Sequence, residues 1–397
     1  MKKSITLNCR DPKKNEYNTY AEGDFSFRLY RKENEPQSAN RLEVKTGELV
    51  AELQPSKGLS LGQAVYRGKK IFWDAPYALP DPDQLDLWSD EVLINGKAVE
   101  AFTFLKTFAG GIEFYGLKNW GMPHKDKQSG ELFPLHGETS NIPVNKVKIV
   151  IDEGWVEVEA EFIYHDMKSA DNHPWYEDGH ELYSVKKNYK FRADDAPQII
   201  VRDTIKNISD QTLTPDWGYH VTFYPQPGSK ILVPSGSVEE RNGEKIPNDI
   251  ETWNMAGSDE PRQETGIIHK RLDTIREKGK ERCRVLLQHP DGEGIILKFP
   301  PSPYFQTWSC KGGAGSDEFM LRSGKSLHEN NWDGLGIEIG SSALDHNQNI
   351  DESVEYQERL APGEEKTIEM EVLYVNAVST LEIASKINFY NQNRKQQ

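Results

Sequence analysis

Hydrophobic and polar positions alternate with a period of two along much of this chain. Between residues 155 and 162, Val156, Val158, Ala160 and Phe162 fall on one side of an extended backbone, and Glu157, Glu159 and Glu161 fall on the other. Successive side chains in a strand point to opposite faces, so the segment predicts a half-buried antiparallel strand with one wet face. Residues 367–375 repeat the pattern. Residues 146–151 set Val147, Ile149 and Ile151 opposite Lys146 and Lys148. Further strands are predicted over 198–205 and 294–299, the second more buried at its centre.

Turn signals recur between these runs, at Pro80-Asp81-Pro82-Asp83, Pro225-Gln226-Pro227-Gly228, Arg241-Asn242-Gly243-Glu244, Asp291-Gly292 and Lys311-Gly312-Gly313. Many short strands punctuated this densely predict a sandwich or barrel, not alternating strand and helix units. One weak helix pattern covers Val378 to Phe389, and Asn391 to Gln397 reads as a polar tail. No internal repeat or interdomain linker is visible. The expected architecture is all-β, one large antiparallel domain over residues 1–397 with its core at about 40–376.

Composition narrows the function classes. No stretch approaches the roughly 18 apolar residues of a membrane span. The lysines at positions 2 and 3 are followed by no apolar run, which argues against a secretory signal. Cys9, Cys283 and Cys310 are too few for a disulfide framework and too scattered for a zinc site. A cytoplasmic location is expected. The net charge of -15 opposes non-specific binding to nucleic acid or to an anionic membrane surface. It does not exclude an anionic sugar, because one local arginine or lysine can override the global sign.

Three positions carry candidate chemistry. His136 lies between Pro134 and Gly137, at a strand end or tight turn, where binding residues tend to sit on a β scaffold; a surface histidine capping a turn is the plainer alternative. His220 is flanked by Trp217, Tyr219 and Phe223. A lone histidine among aromatics is more often a hydrogen-bonded core residue, but Asp216 can orient or charge an imidazole and Trp217 offers a flat face to a pyranose ring. Glu338 stands between Ile337 and Ile339. Ordinary alternation would turn it to solvent; a pocket would instead raise its pKa by desolvation and make it a base near neutral pH. Histidine with a tuned carboxylate is the usual pair for proton transfer.

Gln306 and Trp308 share a face of a segment that runs into the Lys311-Gly312-Gly313 turn, setting an amide beside a stacking ring. The run from His173 to Glu181 has metal-ligand residue types, but Pro174 and Gly179 oppose the helix that such spacing needs, so no metal site is expected. No phosphate-binding glycine loop or nucleophile elbow appears.

Taken in order, these segments resemble the aldose 1-epimerase (galactose mutarotase) superfamily. Leu135-His136-Gly137 is similar to its Leu-His-Gly segment, Tyr219-His220-Val221-Thr222-Phe223 to its second histidine motif, Gly336-Ile337-Glu338 through Asp345-His346-Asn347 to the stretch with its glutamate, and Pro362-Gly363-Glu364 to the motif that follows. Gly58-Leu59-Ser60 and Phe108 through Asn119 place the chain nearer an uncharacterised branch. The resemblance implies a large antiparallel β-supersandwich, galactose mutarotase-like, that interconverts sugar anomers. His220 would protonate the ring oxygen, Glu338 would take the anomeric hydroxyl proton, and His136 would hold or polarise the ring oxygen. Trp217, Gln306, Trp308, Asp216 and Lys311 would bind the substrate. Both steps are proton transfers, so no metal or organic cofactor is implied; the partner is a small sugar, and the protein a monomer or homodimer. Two alternatives stay open: a non-catalytic carbohydrate-binding protein stacking sugars on Trp217, Trp308 and Trp332, or an isomerase or lyase acting on an acidic sugar clamped by Arg67, Arg202 or Lys311.

Overall fold

The alternating segments become long antiparallel strands because each offers one apolar face to a shared core. The computed structural model describes residues 3–31, 39–73, 92–99, 101–102, 104–125, 130, 132–152, 154–166, 179–192, 197–246, 252–253, 263–302, 304–312, 319–321, 334–341 and 358–394. The predicted strands are found at Lys146–Asp152, Trp155–Asp166, Gln198–Asn207, Gly294–Phe299 and Glu365–Val375. Val156, Val158, Ala160 and Phe162 are buried, as the alternation requires.

Two large sheets hold most of the strands. A ten-stranded sheet contains the five strands just named together with Lys3–Asn8, His180–Arg192, Lys280–Gln288 and two short ones. A twelve-stranded sheet runs from Ser235–Glu240 through Gln263–Leu272, Tyr304–Lys311, Gly334–Gly340, Asp216–Phe223, Gly111–Leu117 and Ser60–Tyr66 to Thr19–Glu22 at its other edge. The sheets face each other across one continuous core: Val147, Ile149, Val158 and Val201 from the first meet Leu61, Ile112, Phe114, Tyr219, Val221 and Ile337 from the second.

Inside this apolar layer lies an ion pair. Lys187 of the ten-stranded sheet pairs with Asp203, and Tyr219 of the opposite sheet donates its hydroxyl to the same carboxylate at 2.7 Å. The Lys187 ammonium also sits 5.0 Å from the centre of the Phe114 ring.

Two expectations need correction. Strands Lys3–Asn8, Thr19–Glu22 and Phe25–Tyr30 lie upstream of residue 40 and belong to the sheets, with Ile5, Leu7, Phe25, Phe27 and Leu29 buried, so the packed core begins well before that point. The C-terminal helix spans Ala377–Arg394 and so runs through most of the segment read as a tail. Ala384 and Ile387 anchor it on Leu232, Leu286 and Ile296, and that packing overrides the polar composition. Among the described residues, no helix is long and apolar enough to cross a membrane.

Candidate functional site

The outer face of the twelve-stranded sheet carries an unusual row. Pairing registers place Glu113 opposite His220, His220 opposite Glu338, and Glu338 opposite Gln306, on four adjacent strands. Paired residues of neighbouring strands point to the same side, so four polar side chains line up across the sheet. All four are buried. The next row on one side reads Tyr115, Gly218, Gly340 and Tyr304; the row on the other reads Gly111, Thr222, Gly336 and Trp308.

The glycines in these flanking rows have a steric purpose. A Cβ on Gly218 or Gly340 would fall inside the Trp120 indole, and one on Gly336 inside the Trp308 indole. Bare backbone therefore lets two indoles lie flat on the sheet, one to each side of the polar row.

Within the row, His220 Nε2 is 3.5 Å from Glu338 Oε1. That is longer than a formed N–H···O bond, as is common for proton-transfer pairs without substrate. Gln306 Nε2 donates to Glu338 Oε2 at 2.6 Å, and Tyr304 donates to Gln306 Oε1 at 2.8 Å, so the carboxylate is oriented by an amide that is itself fixed. His220 Nδ1 lies 3.2 Å from Thr222 Oγ1. Glu113 serves other partners: it accepts from the Ala109 backbone N–H at 2.5 Å and from the Tyr115 hydroxyl at 2.5 Å, and Lys57 Nζ sits 3.0 Å away.

His136 approaches from a loop, as Pro134 and Gly137 imply. Its backbone is in the left-handed region, at φ 59°. Such a conformation costs a non-glycine residue about 1–3 kcal/mol and persists only when its surroundings impose it. Here the peptide is pinned on both sides: His136 N–H donates to Gly121 O at 2.7 Å, and Gly116 N–H donates to His136 O at 3.1 Å. The His136 ring centre comes 5.9 Å from that of His220, between Phe104 at 4.6 Å and Trp120 at 4.9 Å. Phe108 at 4.6 Å and Trp308 at 5.0 Å close around His220.

This aromatic enclosure sets the electrostatics. Burial pushes His136 down to about 3, with the charge of Arg241 adding to the effect. Burial first, and the neighbouring His136 second, hold His220 well below the ordinary imidazole range. Burial raises Glu338 to about 7, against the opposing pull of Arg241 and the Gln306 hydrogen bond. Both imidazoles rest neutral, and the carboxyl titrates near neutrality.

Of the sequence-predicted residues, His136, His220, Glu338, Gln306 and Trp308 come together. The others do not join them. Trp217 points the opposite way from His220, three positions along the strand, into the inter-sheet core beside Tyr219 at 6.0 Å. Asp216 lies on the correct face but four residues, about 13 Å, from His220; its carboxylate accepts from the Trp120 backbone N–H at 2.7 Å, so it fixes an indole, not an imidazole. Lys311 ends its strand with a side-chain direction opposite to that of Trp308. Arg67 pairs with Glu48 on the surface, and Arg202 with Glu369 on the other sheet. Trp332, His173 to Asp178, and Asp345 to Asn347 lie outside the described residues.

Sequence reasoning missed Trp120, Tyr304, Glu113, Lys57 and Arg241. Tyr304 was within reach, being the next position on the Gln306 and Trp308 face. Among the described residues, no three His, Cys, Asp or Glu side chains converge as a metal-ion ligand set.

Comparison with known proteins agrees with this architecture. The fold matches a candidate aldose 1-epimerase from Klebsiella pneumoniae with a TM-score of 0.69 at 14% identity, covering 98% of this chain and 96% of that one. A galactose mutarotase-like protein from Clostridium acetobutylicum matches with a TM-score of 0.54 at 13% identity over 89% and 99% of the two chains. A candidate mutarotase from Salmonella typhimurium matches at 0.51 and 10% identity over 90% and 96%. At these identities the likeness establishes the fold, the galactose mutarotase-like supersandwich. No curated protein matches the sequence. Residues 36–317 match a domain of unknown function, DUF4432. With that segment covering most of its length, the chain belongs to the DUF4432 family.

Proposed function

We propose that the protein is a carbohydrate enzyme that interconverts the anomers of a free sugar by acid–base catalysis. The observation that carries this reading is the His220–Glu338 contact: two titratable groups, directly cross-strand, 3.5 Å apart in a buried aromatic enclosure. A solved structure of the same fold described as a candidate aldose 1-epimerase, and another described as a candidate mutarotase, support it.

The reaction moves one proton off the sugar and one on. Glu338 accepts the proton of the anomeric hydroxyl as the bond from C1 to the ring oxygen breaks, and His220 delivers a proton to that oxygen. The open aldehyde rotates about C1–C2, and the reverse transfers close the other anomer. His136, neutral and enclosed beside His220, holds the ring oxygen. No net proton is consumed, so the working form of the pair carries a single proton, which rests on Glu338 and crosses the 3.5 Å contact to His220 before the carboxylate can act as base and the imidazolium as acid. Burial disfavours charge on either partner, and the proton is therefore retained until the pH rises through about 7, where Glu338 loses it. Activity is expected to decline above that pH.

Anomer exchange measured by NMR saturation transfer over a sugar panel tests the proposal. Exchange faster than buffer, lost in His220→Ala and in Glu338→Gln, is the expected result. Full turnover in Glu338→Gln would remove the base assignment. Binding without exchange for every sugar bound would replace the enzyme by a sugar-binding protein.

A further inference from the structure

We infer that Arg241 forms an anion-binding end of the sugar site, and that the substrate is an aldose bearing a carboxylate, sulfonate or phosphate away from its anomeric carbon. The inference rests on the mutarotase reading for the sugar's orientation; the anion site itself rests on where Arg241 lies.

Arg241 belongs to a turn at the sheet edge, and its backbone N–H donates to Gly266 O at 2.8 Å. Gly266 is in register with Trp308. It therefore extends the row of Thr222, Gly336 and Trp308, on the same side of the sheet as His220 and Glu338. A Cβ added to Gly266 would meet Arg241 Nε at 3.1 Å and its Cβ and Cζ at 3.2 Å. The arginine side chain thus lies along the bare backbone of Gly266, facing the site and adjoining Trp308. It repeats what the indoles do over Gly218 and Gly336: a glycine makes room for a large flat group.

Its position suits a ligand that spans the row. Two strand spacings and one two-residue step separate Gly266 from Glu338, on the order of 12 Å between Cα atoms. Two side chains with a pyranose between them fill such a gap. The Arg241 charge already acts on both Glu338 and His136. Exposure differs in the way a substrate channel requires: the Arg241 side chain is 28% exposed, against 6% for His220 and 5% for Glu338, so the cation stands at the mouth and the proton-transfer pair at the bottom.

Arg241 Nη2 pairs with Glu264 Oε1 at 2.7 Å, its one ion pair among the described residues. A guanidinium has five donors, and one carboxylate contact leaves the rest of the fork for a planar or tetrahedral anion. Lys57, a second cation bordering the polar row, is committed to Glu113 in full burial. In a chain of net charge -15, a local guanidinium is what would let an anionic sugar approach.

The test compares D-galacturonate with D-galactose, and D-glucose 6-phosphate with D-glucose, by NMR titration and by anomer exchange on the same samples. At least one charged sugar is expected to bind tenfold or more tighter than its neutral partner. Arg241→Gln should erase the difference, and Glu264→Gln, which frees the second edge of the guanidinium, should widen it. Equal binding of charged and neutral sugars, binding of neither charged sugar at millimolar concentration, or a preference that survives in Arg241→Gln would each overturn the inference. If Arg241→Gln fails to fold, a charged-sugar preference unchanged in Glu264→Gln overturns it instead. A charged-sugar preference in binding with no exchange of any sugar would uphold the anion site and sink the mutarotase proposal; exchange confined to neutral sugars would do the reverse.

Discussion

Two polar clusters are buried on either side of the twelve-stranded sheet, one between the sheets and one on its outer face, and they have been solved in opposite ways. On the inner face, Lys187 and Asp203 form a direct ion pair that Tyr219 ties to the facing sheet. On the outer face, His220 and Glu338 stand 3.5 Å apart, with burial driving both toward their neutral forms. The first cluster is locked by contacts from both sheets. The second has one fixed edge, the Gln306–Tyr304 chain, and one loose contact. Depth alone therefore does not single out a candidate site; a buried pair left short of a full bond, with its carboxyl raised to about 7, does.

The comparison breaks first at the level of turnover. Glu338→Gln and His220→Ala are each expected to cut anomer exchange by about 10²–10⁴-fold, while Lys187→Met leaves the exchange per folded molecule near wild type. Stability should show the converse. Removing Lys187 strands Asp203 in the core and should cost about 3–5 kcal/mol in urea unfolding, far more than Glu338→Gln does.

A pH series sharpens the contrast. Glu338 is displaced from an ordinary 4.5 to about 7, so the folded protein keeps a proton that the unfolded chain releases. Its contribution to stability is full below pH 4.5 and is lost as the pH rises through about 7, a swing of about 3 kcal/mol. Thermal melting should show Glu338→Gln gaining on wild type across that interval. A constant offset between the two proteins would contradict the burial argument. The smallest effect concerns the glycine platform: Gly336→Ala drives a methyl into the Trp308 indole and should cost about 1–3 kcal/mol by overpacking, with a change in tryptophan fluorescence.

Much of this was legible in the sequence where alternation is regular. The 155–162 run names its own buried face, and its strand is found there. His220 and Glu338 could be singled out by residue type, yet their contact depends on cross-strand register, which no local pattern encodes. The same rule of alternation tells against Trp217, singled out as a neighbour of His220 in sequence although an odd number of steps turns it to the other face. Arg241 was visible only as the start of a turn signal; its importance comes from Gly266, a residue 25 positions away in the chain that becomes its neighbour through sheet pairing. The helix beyond Phe389 was underestimated because packing of Ile387 and Ala384, not composition, extends it.

Phe104 and Phe108 press on His220 at 5.7 and 4.6 Å, and the side chains of His220 and Glu338 are only 6% and 5% exposed. A sugar cannot reach them while that aromatic cover is in place. The proposed anomer exchange would then acquire a clock separate from its chemistry: the cover would have to part before each encounter and again before each release. If the proposed anomer exchange is limited by that opening and not by its two proton transfers, turnover should track solvent viscosity while remaining insensitive to deuterium at the exchanging hydroxyl.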